Sequence, residues 1–267
     1  MTKARFNRAI WAYYRKTGRD LPWRKTRDPY AIFVSEIMLQ QTQVGRVEGF
    51  YKKFIKQFPN FRSLAGAKTK NVLVAWQGLG YNRRALSLQR AAEIIVRDFG
   101  GKLPCNRATL ESLPGIGKGT SGSLLAFAFN KPEVFIETNI RRVFIHFFFP
   151  RVQKVTDAEI KRCIECTIDL KNPREWYWAL MDYGAAMPRG VNPNRRSAHY
   201  KKQSAFVGSD RELRGKILRC MLEKKGRMTI LALLKTVNAP EDRIRKIAAD
   251  LAREGFIVRK GNYIGIK

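Results

Sequence analysis

The sequence predicts a mainly α-helical protein closed by a small winged-helix-like domain, and three observations carry that reading. Apolar residues recur at helical spacing over almost all of residues 1–190. A glycine hairpin, Leu113-Pro114-Gly115-Ile116-Gly117, separates two of the helices. From Ser209 the order becomes helix, short helix, helix and β-hairpin, which is the order of a winged helix.

Each element follows from local signals. The N-terminal residues run into an amphipathic pattern. Asp28 followed by Pro29 is an N-cap and first-turn pair that opens a helix through Leu39 carrying Glu36. Val47, Phe50, Tyr51, Phe54, Ile55 and Phe58 then recur helically until Pro59, so two helices meet at residues 40–43. Further helices are expected over 69–77, 84–99 and 107–112, with Gly78-Leu79-Gly80 and Gly100-Gly101 between them. The hairpin leads into an apolar helix over 120–129, and the pattern resumes over 139–149, 157–170 and 174–187.

Residues 190–208 are irregular and very basic, and a domain boundary is expected near Ser209. Beyond it, helices are expected over 210–225, 229–237 and 239–254. Strands at 256–259 and 263–266 then flank a Lys260-Gly261-Asn262 turn. Arg243, Arg245 and Lys246 fall on the third of these helices, where such domains read a DNA groove. The other reading of this domain is a protein-contact module or stabilising cap.

Composition bounds the partner. Fifty-two Lys and Arg against 22 Asp and Glu leave a formal charge of +30 on 267 residues. That balance predicts a polyanionic partner without distinguishing DNA from RNA. No apolar run approaches the roughly 20 residues that cross a bilayer, and the N-terminus carries no cleavage signal. The expectation is a soluble, cytoplasmic protein with no membrane association. Cys105, Cys163, Cys166 and Cys220 are scattered, and the one close pair sits on a helix without a second pair or a nearby His, so no metal is expected.

Two segments carry chemistry. Val34-Ser35-Glu36-Ile37-Met38-Leu39-Gln40-Gln41-Thr42 sets one carboxylate and two amides at the end of an apolar helix. Leu113 to Thr120 can present backbone N–H groups to a phosphate. Together they predict acid chemistry on a bound DNA.

With these residues in view, the chain resembles the helix-hairpin-helix (endonuclease III-like) DNA glycosylases, and within them the MutY-type adenine DNA glycosylases. The matching text is Leu21-Pro22-Trp23-Arg24, Asp28-Pro29-Tyr30, Ser35 to Val44, Gly78-Leu79-Gly80-Tyr81, Leu113 to Gly117, Asn139-Ile140-Arg141-Arg142-Val143 and Met181-Asp182-Tyr183-Gly184-Ala185. It covers roughly the first 190 residues in order.

The resemblance implies a two-lobed fold. Residues 1–22 and 132–207 would form one lobe, and residues 23–131, with the helix-hairpin-helix at 107–130, the other. Residues 208–267 would follow as the winged-helix-like domain. The implied activity is monofunctional hydrolysis of the N-glycosidic bond of adenine mispaired with guanine or 8-oxoguanine, in base excision repair. The implied partner is double-stranded DNA holding a mismatched or damaged base, met by a monomer, nucleoid-associated if the source is a prokaryote.

The chemistry asks for particular residues. Adenine leaves readily only when a ring nitrogen is protonated, and a carboxyl held among Phe33, Val34, Ile37 and Met38 has a raised pKa suited to that donation. Glu36 is therefore the expected acid, against the alternative of a solvated helix-face glutamate. The family stabilises the sugar cation with an aspartate just before its Asn-x-x-Arg segment, and here Glu137 stands in that place. The alternative for Glu137 is a contact with the following helix N-terminus, with Asn139 as the cap.

The resemblance assigns Gln40, Gln41 and Tyr81 to the space left by a flipped base, whereas the bland reading makes Tyr81 core and the glutamines turn caps. Gly115, Gly117, Lys118, Thr120 and Asn139 are the expected DNA-binding positions. Strand-cutting relatives carry a lysine where this chain has Gly119, and Lys118 lies one position early, so no lyase chemistry is expected.

Two departures remain. The family's iron–sulfur ligands follow the stretch matched by Met181 to Ala186, and residues 187–199 contain no cysteine, which implies a branch without the cluster. The basic run 189–202 would then hold phosphates, or serve as a solvated linker. Where the family usually carries a nucleotide-hydrolase-like domain that inspects the oxidised guanine, the winged-helix-like pattern is expected instead, which brings in a rival reading, a thymine or uracil glycosylase acting opposite guanine. A third reading is a non-catalytic DNA-binding protein, encouraged by Glu137.

Overall fold

Helix ends in this chain are set by capping chemistry that the sequence advertises. Thr2, Asn60, Asn106, Thr156, Ser209 and Thr229 each accept a backbone N–H from the first turn of the helix they precede. Thr156 and Glu159 close a reciprocal capping box. The architecture is that of a computed structural model, which describes residues 1–188, 190, 192–202, 205–224 and 227–267.

In chain order the helices are α1 (Lys3–Thr17), α2 (Pro29–Leu39), α3 (Val44–Gln57), α4 (Phe61–Ala65), α5 (Thr69–Trp76), α6 (Arg83–Phe99), α7 (Arg107–Ser112) and α8 (Lys118–Phe129). They continue with α9 (Thr138–Phe148), α10 (Asp157–Thr167), α11 (Pro173–Ala186), α12 (Asp210–Glu223), α13 (Ile230–Thr236) and α14 (Glu241–Arg253). Strands β1 (Arg227–Thr229), β2 (Ile257–Lys260) and β3 (Tyr263–Ile266) form one antiparallel sheet in the order β1-β3-β2. The mainly α fold and the terminal winged-helix order are thus present. The short α4 and β1 were not foreseen, and Lys225, expected to end a helix, lies outside the described residues.

The chain groups into two compact units, Met1–Glu36 with Pro104–Lys202, and Ile37–Leu103 with Gln203–Lys267. This differs from the expected lobes at 1–22 plus 132–207 and 23–131. The hairpin helices α7 and α8 belong with the first unit because Gly122 lets α8 approach the 135 segment closely. A Cβ there would come 2.5 Å from Phe135 Cβ.

The core of the first unit is aromatic. Phe6 of α1 packs against Phe144, Phe147 and Phe148 of α9 with centroids 5.0–5.3 Å apart. Trp176 and Tyr177 of α11 are fully buried, with Trp176 Nε1 donating to Asn7 Oδ1 at 3.0 Å.

In the second unit Val47, Phe54, Trp76, Leu88 and Ile95 are buried among α3, α5 and α6. Ile217, Met221, Leu233, Ile244, Leu251 and Phe256 are buried among α12–α14 and the sheet. Among the described residues no helix is long and apolar enough to cross a membrane.

Candidate active site

In the first unit Glu36 comes late on α2, a helix whose residues Tyr30 to Ser35 are all buried. Glu36 itself is partly buried, and its Oε2 accepts a hydrogen bond of 2.6 Å from Ser123 Oγ of α8. Burial pushes the Glu36 carboxyl up to about 7; the Ser123 bond opposes this, the negative charge of Glu137 adds to it, and Arg24 opposes it weakly. A carboxyl held there keeps its proton near neutrality and can donate it.

Glu137 immediately precedes α9 and is itself the N-cap. Its Oε1 accepts from Asn139 N at 2.8 Å and Ile140 N at 2.9 Å, while Oε2 faces Asn139 Nδ2 at 3.4 Å. The alternative weighed for Glu137, a contact with the following helix N-terminus, is thus present, but with Glu137 rather than Asn139 as the cap. Burial raises the Glu137 carboxyl, against the amide bonds from Asn139 and Ile140 and the charges of Arg141 and Arg19. A glutamate in this pose offers one oxygen to the helix and turns the other toward the Asn139 amide.

Several of the sequence motifs meet around this pair. Arg24 donates to both Asp182 oxygens at 2.7 and 2.8 Å, and Arg19 adds its backbone N and Nε at 2.8 and 2.6 Å. Burial disfavours the Asp182 charge, but the bonds and charge of Arg24, followed by those of Arg19, hold its carboxyl below the usual range. Gly184 of α11 lies so close to α9 that a Cβ would come 2.5 Å from the Asn139 carbonyl oxygen. The Pro22–Arg24, Asn139–Val143 and Asp182–Gly184 motifs are therefore one packed assembly.

The hairpin lies in the same unit. Gly115 has φ +81, a left-handed value that favours glycine, and Leu113 and Ile116 are buried on either side. Gly117 is the N-cap of α8, so the first-turn amides of Lys118, Gly119 and Thr120 stand at the helix start. Lys118 is exposed, whereas a Cβ on Gly119 would meet the Ile136 carbonyl oxygen at 3.5 Å. The position matched to the family's lysine thus faces the segment leading to Glu137, and it carries no nucleophile.

The second unit holds the glutamine turn and Tyr81. Gln41 and Tyr81 both have left-handed backbones, with φ of 53 and 48. Arg84 ties the two turns together, donating through Nη1 to the carbonyls of Ile37, Met38 and Gln40 at 2.9, 2.8 and 2.6 Å. Its Nη2 donates to Thr42 Oγ1 at 2.9 Å and Gly80 O at 3.1 Å. Burial lowers the Arg84 guanidinium to about 10. Neither Arg84 nor Ser123 was anticipated; Ser123 is one of three hydroxyl residues on α8, and nothing in the sequence singled out either residue.

Two of the three expected groove-reading residues of α14, Arg243 and Arg245, make local ion pairs. Arg243 pairs with Asp210 and the Gly208 carbonyl, and Arg245 pairs with Glu241.

The segment after α11 does not fit an iron–sulfur cluster, since it offers no thiolate. Arginines hold it instead. Arg142 donates to the carbonyls of Gly184, Met187 and Pro188, Arg196 to those of Phe149 and Ile145, and Asn194 Nδ2 to Thr138 O. Of the basic run, Arg189 and Val191 lie outside the described residues. Among the described residues no group of three or more His, Cys, Asp or Glu could hold a metal ion.

Residues 34–166 match the family described as HhH-GPD superfamily base excision DNA repair protein. An adenine DNA glycosylase of Buchnera aphidicola subsp. Baizongia pistaciae is 37% identical over 195 residues, covering 72% of this chain but only 56% of the relative's length. A thymine/uracil-DNA glycosylase of Pyrobaculum aerophilum is 32% identical over 196 residues, covering 71% of this chain and 85% of the relative. The solved structure of a thermostable thymine-DNA glycosylase superposes with a TM-score of 0.65 at 28% identity, covering 73% of this chain and 93% of that one. With its hairpin, its glutamate-bearing α2 and these relatives, the chain belongs to the HhH-GPD superfamily of base excision DNA repair proteins.

Proposed function

We propose that this protein is a monofunctional DNA glycosylase that hydrolyses the N-glycosidic bond of adenine mispaired with guanine or 8-oxoguanine. The observation that carries the reading is Glu36, a carboxyl raised to about 7 by burial, with the Glu137 charge beside it. Glu36 protonates a ring nitrogen of the expelled adenine, so the base leaves neutral. Glu137 stabilises the positive charge left on the sugar. The amides of Lys118, Gly119 and Thr120, with Gly115 and Gly117 shaping the turn, hold a backbone phosphate. Gln40, Gln41 and Tyr81 fill the stack vacated by the base, and Asn139 lines the acid site.

The formal charge of +30 supports double-stranded DNA as the partner. We place the protein in the cytoplasm on the nucleoid, acting as a monomer. The arginine-held segment after α11 supports a chain that works without an iron–sulfur cluster. Purified protein should then carry no absorbance near 400 nm and should keep its activity after iron chelation.

A second reading, removal of thymine or uracil opposite guanine, is favoured by the near-complete coverage of the Pyrobaculum relative. Pyrimidine departure has less need of a protonated carboxyl, so Glu36 supports adenine. Excess protein is incubated with duplexes containing adenine opposite 8-oxoguanine, adenine opposite guanine, and thymine or uracil opposite guanine, and abasic sites are revealed with alkali. Adenine release is expected; release of only thymine or uracil would transfer the chain to the second reading. Tight binding without any release would leave a DNA-binding protein.

A further inference from the structure

We propose that Arg211, from the winged-helix-like module, is a positioning residue for Tyr81, which makes that module a working part of the apparatus that opens the base stack. The inference rests on the glycosylase reading above and assigns the terminal module a role within it.

The geometry lies wholly within the second unit. Tyr81 follows Gly80, and both have left-handed backbones, so the ring stands on a turn that few side chains adopt. Two guanidiniums hold that ring, Arg84 at 5.5 Å and Arg211 at 5.3 Å from its centroid. Arg211 Nη1 also donates to the Tyr81 hydroxyl. Arg211 is the second residue of α12 and reaches 130 residues back along the chain, with its guanidinium 5.7 Å from the centre of the exposed Phe206 ring.

A contact of this kind positions a side chain only if its own anchor is fixed, and the module is clamped beside it. Glu254, just after α14, accepts from Arg83 Nε and Nη2 at 3.2 and 2.6 Å and from Arg214. Arg90 donates to the Glu254 carbonyl at 3.0 Å. The chain then turns at Gly255, where φ is +86 and a Cβ would stand 2.7 Å from Arg90 Nη2. Arg83 and Arg90 are two turns apart on α6, the helix that begins two residues after Tyr81. The end of α14 is therefore spent on docking, while Arg243 and Arg245 are spent on local ion pairs. The module thus docks beside the Tyr81 turn through Glu254 and reaches it through Arg211.

A wedge that enters a duplex works best when its rotamer is set beforehand. Arg211 supplies a hydrogen bond to the ring's outer end and a cation to its π system, and a lysine would reproduce only the charge.

The test uses the full chain in a Glu36→Gln background, so that no base is cut. The duplexes carry adenine or thymine opposite guanine, with 2-aminopurine next to the target base, whose fluorescence rises on unstacking. Arg211→Ala is expected to lower the opening equilibrium by about 10-fold, the scale of one lost charge-assisted hydrogen bond, with duplex affinity changed less than about twofold. Arg211→Lys should recover part of the loss. Tyr81→Phe combined with Arg211→Ala should cost less than the sum of the two, since they remove one shared contact. A far-UV spectrum and melting temperature close to the parent's exclude a folding defect as the cause.

Opening in Arg211→Ala equal to that of the parent would overturn the proposal while leaving the glycosylase reading intact. A parent that unstacks neither target overturns both.

Discussion

The hydroxyl of Ser123 lies 2.6 Å from Glu36 Oε2 and 3.0 Å from the carbonyl oxygen of Thr120, so its single proton has two acceptors. When Glu36 is ionised, Ser123 donates to the carboxylate. When Glu36 is protonated, the carboxyl donates to Ser123, which turns its own proton to Thr120. The carboxyl is hydrogen-bonded in both states, which suits the proton donor that the proposed reading makes of it.

Ser123→Ala removes the bond to the ionised form, so the Glu36 carboxyl moves further up. The rate of base release falls as pH rises through that value, and the inflection in the mutant should lie about one pH unit higher than in the parent. A single-turnover pH profile measures this; an unmoved inflection would show that the hydroxyl does not tune the acid.

Glu36→Gln should lower base release by at least about 10³-fold while sparing DNA affinity. It should also stabilise the fold at alkaline pH. The Glu36 carboxyl titrates higher in the folded chain than in the unfolded one, so stability present below pH 4.5 is lost as pH rises to about 7. The upper bound on that loss is about 3 kcal/mol. Denaturant melts at pH 4 and pH 8 should find parent and mutant alike at the lower pH and the mutant more stable at the higher.

Glu137 caps α9, and on the proposed reading it also stabilises the sugar cation, two roles that substitutions can separate. Glu137→Gln keeps an acceptor for the α9 amides but loses the charge, so release should fall about 10²-fold with little change in melting temperature. Glu137→Ala should lose the charge and the cap, adding about 1 kcal/mol of destabilisation. Glu137→Asp, a good cap with the same charge, should retain most activity. Single-turnover rates beside thermal melts check all three.

Arg84 feeds three carbonyls at the end of α2 together with Thr42 and Gly80. Arg84→Met leaves those acceptors short of a donor and should destabilise the second unit by about 2–4 kcal/mol. Hydrogen exchange should rise first at residues 40–43 and 80–82.

The legible parts of this structure are those whose cause is local. Pro29 and Leu39 bound α2 as expected, Gly115 turns the hairpin, and Lys260-Gly261-Asn262 joins two strands close to their expected limits. Glu36 was legible because it follows a run of residues, Tyr30 to Ser35, that are apolar but for Ser35 and all buried. What escaped depends on partners far along the chain. Ser123 meets Glu36 across 87 residues, Arg84 meets Ile37 across 47, and β1 exists only because β3 pairs with it. Glu137 was legible by position, but its capping pose depends on the first-turn amides of α9.

The most direct test of the account is single-turnover release of adenine from an adenine–guanine or adenine–8-oxoguanine duplex between pH 5 and pH 9, with the parent and Glu36→Gln compared. Release by the parent should decline above about pH 7 and be absent in the mutant. Release that persists in Glu36→Gln, or that rises steadily to pH 9, would contradict it.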